Sequence, residues 1–127
     1  GDSDLVNRLE AHLWLDGADM AEGRVGGEKR RLFLEMNIRA IQASDAGAEI
    51  DSPSAWDRLD TLSVPTLVLF GEYDMEIMRS DAQMIAERAS NAQFVALPGV
   101  AHLPMLEDPE GFVAAISPFI ESLDFDA

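Results

Sequence analysis

Cysteine is absent, so disulfides and thiolate metal sites are excluded. That absence fits a reducing compartment, and a cytoplasmic location is expected. Basic residues are scarce: 9 Lys and Arg stand against 24 Asp and Glu, a formal charge of −15. A field of that sign repels phosphate backbones and anionic lipid surfaces, so neither nucleic acid nor a membrane is expected as a partner. No apolar run reaches the length of about eighteen residues that a membrane-spanning helix needs. The first residues, Gly1-Asp2-Ser3-Asp4, are acidic and polar, unlike a signal peptide. The two histidines, His12 and His102, stand far apart without metal-ligand spacing. No metal and no cofactor is expected.

What is present is 47% hydrophobic sequence over 127 residues, enough for one domain with a core. The pattern changes near residue 50. Leu5, Leu9, Leu13 and Trp14 fall at helical spacing and predict a helix over Leu5–Leu15, ended by Gly17. A second helix is predicted over Glu28–Ala43 from Leu34, Ile38 and Ile41, with Gly47 as its terminator. Residues 51–63 read as a connector, docked through Trp56 and Leu59.

Val64-Pro65-Thr66-Leu67-Val68-Leu69-Phe70 is a continuous apolar, β-branched run that predicts a strand buried on both faces. A turn, Gly71-Glu72-Tyr73-Asp74, follows it. Ser80 is the expected cap of a helix running to Ala89. Gln93-Phe94-Val95-Ala96-Leu97 predicts the second strand, closed by Pro98-Gly99. Asp108-Pro109 opens a last helix through Phe112, Ile116, Phe119, Ile120 and Leu123, with Pro118 expected to kink it. The fold class is therefore α/β, with a helical segment over 1–50, the connector, a βαβα unit with parallel strands over 64–123 and a tail over 124–127. Two strands buried on both faces still have open edges, so further strands are expected from elsewhere.

In open parallel sheets, ligands sit beyond the carboxyl ends of the strands. Asp74 lies just past the first strand, and His102 lies five residues past Leu97. If the strands are neighbours, the two side chains converge at one rim. An Asp beside a His fixes the imidazole tautomer and stabilises the imidazolium. Glu72 is a lower-ranked substitute acid. Glu107 and Asp108 read as helix-start residues, and His12 as a partly buried residue of the first helix.

Val64-Pro65-Thr66-Leu67-Val68-Leu69-Phe70-Gly71-Glu72-Tyr73-Asp74 resembles the penultimate strand and acid turn of the α/β-hydrolase superfamily. Leu97-Pro98-Gly99-Val100-Ala101-His102-Leu103-Pro104-Met105-Leu106-Glu107-Asp108-Pro109 resembles its last strand and histidine loop. The likeness covers residues 60–123 well, and residues 5–50 are more loosely similar to the helical lid of these enzymes. It implies a partial α/β-hydrolase fold, with Asp74 as triad acid and His102 as general base. Met75, Met78 and Met105, which follow the acid turn and the histidine, are candidates for lining a substrate cleft, with core packing as the alternative.

The family's nucleophile elbow, Gly-x-Ser-x-Gly, does not occur in the sequence: none of the serines sits between glycines at that spacing. The expectation is an ester- or acyl-cleaving hydrolase part that is inactive alone, acting on a small ester-like substrate when an N-terminal hydrolase half supplies the serine. The alternative is a non-catalytic interaction module, a homodimer for example, derived from the same scaffold.

Overall fold

The computed structural model describes residues 2–44, 47 and 54–123. Asp2 caps the first helix, α1 (Ser3–Glu10), its carboxylate accepting from the Leu5 amide at 3.0 Å. The helix continues without a break as a π-helical stretch, Ala11–Gly17. Gly17, at φ +94°, ends it, and a Cβ there would meet the Tyr73 carbonyl oxygen at 2.6 Å. A loop leads into α2 (Gly27–Ile41). The buried Asn7 joins the two helices: its amide donates to the Leu34 carbonyl at 3.0 Å, and Asn37 donates to it at 3.1 Å. The end of α2 lies six positions before Gly47, because Gln42 turns the chain and carries the closing hydrogen bond to Ile38.

The connector is more ordered than expected. It holds a 3₁₀ helix, Trp56–Thr61, with Leu59 half-buried and Trp56 exposed. Strand β1 (Thr66–Gly71) pairs in parallel with β2 (Ala92–Leu97), Thr66 opposite Ala92 and Gly71 opposite Leu97. Between them runs α3 (Glu76–Arg88), which packs on both strands. It starts four residues before the expected Ser80 cap. The reason is local: the Asp74 amide donates to the Gly71 carbonyl, and the Asp74 carboxylate accepts the Met75 amide at 2.8 Å, so the acid turn runs straight into the helix. A short helix, α4 (Pro104–Glu107), precedes α5 (Pro109–Glu121). Asp108 caps α5 as expected, and α5 continues past Pro118. The 124–127 tail, residues 45–46 and residues 48–53, where the helical segment is expected to meet the connector, lie outside the described residues.

The strand expected to be buried on both faces is only half-buried along Thr66–Phe70. Among the described residues the sheet has two strands, so an apolar strand sequence finds too few neighbours to bury it. The main core lies elsewhere: Ala11, Leu15, Val25 and Phe33 pack with Trp14, Leu34, Leu103 and Leu106. Leu15 is fully buried there, which stabilises the fold by roughly 2 kcal/mol. The core thus joins the lid-like helices to the loop that carries His102.

Candidate active site

The parallel register places the carboxyl ends of β1 and β2 side by side, and the turns that follow them are stitched together. The Glu72 amide donates to the Leu97 carbonyl, and the Tyr73 amide to Val100, each at 2.9 Å. Gly71 permits this approach: a Cβ there would stand 2.0 Å from the Ala101 carbonyl oxygen. At this junction His102 Nδ1 lies 2.8 Å from Asp74 Oδ2. The Asp74 side chain is 5% exposed and that of His102 38%. A carboxylate only accepts, so the contact is a hydrogen bond in the form of His102 that has a proton on Nδ1. The other carboxylate oxygen, Asp74 Oδ1, accepts the Met75 amide at the start of α3. Glu72, the substitute acid, is turned aside and accepts the Gly99 amide at 2.9 Å.

Three features were not read from the sequence. First, Trp14 of the π-helical stretch stacks at a tilt on His102, ring centroids 4.8 Å apart, and its carbonyl accepts the His102 amide at 3.2 Å. Second, Glu107 lies in the single turn of α4, as a helix-start residue would, and it does more than cap that turn. It ends α4, points inward, and accepts the Ala101 amide at 2.9 Å and the Leu103 amide at 3.1 Å. It also pairs with Arg24. Third, Asp16 is fully buried and accepts the Gly23 and Val25 amides and Arg30, at 2.8–2.9 Å. Burial would raise its pKa, but those hydrogen bonds together outweigh it and hold the carboxyl below the ordinary value. His12 sits 3.7 Å from that carboxylate, partly buried as expected. A buried acid whose partners are a distant Arg and loop amides leaves no periodic mark in a sequence.

Met105 lines an apolar cleft of about 450 Å³ together with Leu32, Phe33, Met36, Leu103 and Leu106. The cleft begins at the residue next to His102. Met75 and Met78 are not among its lining residues: Met75 sits at the start of α3 and Met78, half-buried, within it. Among the described residues no cluster of potential ligands could hold a metal ion, and no helix is long and apolar enough to cross a membrane.

Two adjacent parallel strands that deliver an acid and a histidine from their C-terminal loops define the rim of a hydrolase-type α/β sheet. Residues 3–115 match the alpha/beta hydrolase family, and the chain belongs to it. It is 30% identical over 98 residues to the pimeloyl-[acyl-carrier protein] methyl ester esterase of Nitrosospira multiformis, a match covering 76% of this chain and 37% of that protein. It is 34% identical over 65 residues to the proline iminopeptidase of Thermoplasma volcanium, covering 51% of this chain and 22% of that one. Its fold superposes on bromoperoxidase from Bacillus anthracis with a TM-score of 0.71 at 15% identity, over 96% of this chain and 45% of that structure. MenH from S. aureus matches at 33% identity and a TM-score of 0.52, over 54% of this chain and 26% of that one. The chain thus spans little more than a third of the length of the esterase it matches.

Proposed function

We propose that this chain supplies the acid and histidine of a serine-type α/β-hydrolase that cleaves an ester or a related acyl or carbon–carbon substrate. The observation that carries the reading is the Asp74–His102 hydrogen bond of 2.8 Å at the rim of two parallel strands. Its likeness to a methyl ester esterase supports ester chemistry. A serine outside these 127 residues would attack the acyl carbon while His102 Nε2 takes its proton. Asp74 would hold the imidazolium, and the proton would pass to the leaving group as the carbon–oxygen bond breaks. Water would then repeat the cycle on the acyl-enzyme. The cleft beside Leu103 and Met105 would take the apolar part of the substrate, with Met75 and Met78 on the acid side. Alone, the chain would be inactive.

The half-exposed strands favour a second reading, an interaction module whose open sheet edge pairs with a partner or a second copy. Hydrolysis of a short activated ester separates the two. The chain alone should show no rate above buffer, and the chain extended upstream through a Gly-x-Ser-x-Gly elbow should show one that His102→Ala and Asp74→Asn abolish. An extended chain whose rate ignores both variants would overturn the hydrolase reading. A rate in the chain alone, abolished by His102→Ala, would overturn the claim that the nucleophile lies outside it.

A further inference from the structure

The backbone around His102 is held at three consecutive amides. Glu107 accepts those of Ala101 and Leu103, and the Trp14 carbonyl accepts that of His102 itself. Arg24, in the loop between α1 and α2, pairs through Nη2 with Glu107 and donates from the same nitrogen to the carbonyl of Leu15, the residue after Trp14, at 2.8 Å. Its Nε donates to the Asp16 carbonyl at 2.6 Å, and its Nη1 to the Gly99 carbonyl at 3.0 Å. The guanidinium lies 5.2 Å from the centre of the Tyr73 ring, next to Asp74 in sequence.

We infer that Arg24 is a positioning residue for the Asp74–His102 pair, which couples the geometry of the imidazole to the seating of the lid. The inference rests on the proposed role of that pair. A guanidinium suits the task because its planar fork bonds several acceptors at fixed angles and stays charged. Here it neutralises the buried Glu107 carboxylate and the carbonyl end of the first helix together. It thereby fixes Trp14 on one side of the imidazole and the 99–107 loop on the other. Lys could neutralise Glu107 but could not span the four acceptors.

The test reads the imidazole directly and needs no turnover. In protein labelled with ¹⁵N-histidine, at a pH where the imidazoles are neutral, long-range ¹H–¹⁵N spectra report which ring nitrogen carries the proton. His12→Gln assigns the two signals. The unaltered chain should show His102 held as the Nδ1–H tautomer, and Asp74→Asn should release it. Arg24→Ala and Arg24→Lys should shift His102 toward the Nε2–H form that a free imidazole prefers, and added methylguanidinium should restore the Arg24→Ala protein. Should Arg24→Ala fail to fold, the double variant Arg24→Met, Glu107→Gln removes both charges together and decides the matter. A folded Arg24 variant whose His102 tautomer is unchanged overturns the inference and leaves the hydrolase reading standing. A free tautomer in the unaltered chain overturns both.

Discussion

The junction of the N-terminal helices with the His102 loop and the two-stranded sheet are built to different standards of completeness. At the junction Leu15 and Asp16 are fully enclosed, and Glu107 and Arg24 find their partners within the chain. Strands β1 and β2 have sequences fit for burial but stay half-open along most of their length. The surface around the two strands is also apolar: Val64, Ile77, Met84 and Phe94 remain exposed. A parallel sheet with open edges is the less self-sufficient part of such a fold. The difference teaches that, among the described residues, the loop carrying His102 is packed against buried partners while the two strands beside it stay half-open.

That contrast can be broken most sharply at Glu107. Glu107→Ala strips two amides of their acceptor and leaves Arg24 partly buried without its counter-charge, and the expected loss is roughly 3–5 kcal/mol in urea unfolding. A loss below about 1 kcal/mol would mean that the junction is held by packing alone. Next in size is a matched pair of truncations. Leu15→Ala should cost about 3 kcal/mol, whereas Leu69→Ala, in the half-buried strand, should cost about 1 kcal/mol. Equal costs would show that the strand face is already covered in solution, as in a self-associated form. Gly71→Ala sits on the border of the two regions. Its Cβ would collide with the Ala101 and Val100 carbonyls, and a loss of about 2 kcal/mol is expected from thermal melts. The same variant should free the His102 tautomer; an unaltered tautomer would show that the strand-to-loop approach does not set the site.

The sheet half of this contrast was the legible one. Val64 to Phe70 and Gln93 to Leu97 announce strands by composition, and Asp74 and His102 fall just beyond them, so the meeting of these two side chains could be placed from chain order alone. The start of α3 was misplaced because Asp74 caps the turn with its own side chain, and that bond competes invisibly with the Ser80 signal. The junction was hardly legible at all. Its members, Trp14, Arg24 and Glu107, are far apart in the chain, and nothing in local periodicity marks an Arg that reaches 83 residues on to a Glu. The one available hint was an Arg in a Gly-rich loop, where a solvated surface charge is the commoner explanation.

Acid and salt together provide the finest division between the two regions, with the smallest effects. Asp16 and Asp60 both have carboxyl pKa values below the ordinary 3.8, Asp16 through the loop amides and Arg30 that outweigh its burial, Asp60 through its hydrogen bond to Arg88. A lowered pKa means that the unfolded chain binds the proton more readily. Each group therefore contributes stability that is present above 3.8 and is lost as the pH falls through the folded value. The two differ in exposure. Asp60 joins the connector to α3 from the surface, with its side chain 70% exposed, while that of Asp16 is wholly enclosed. Added salt at neutral pH should weaken the Asp60–Arg88 tie and leave Asp16 almost untouched, since screening acts on solvent-exposed charges. Hydrogen exchange should then show faster exchange of the amides in Trp56–Thr61 at high salt, with those of Gly23 and Val25 unchanged. Asp60→Asn should abolish the salt effect with little change in melting temperature. Salt-sensitive exchange at Gly23 and Val25 instead would mean that water reaches Asp16, and that the junction of the N-terminal helices with the His102 loop is as open as the sheet.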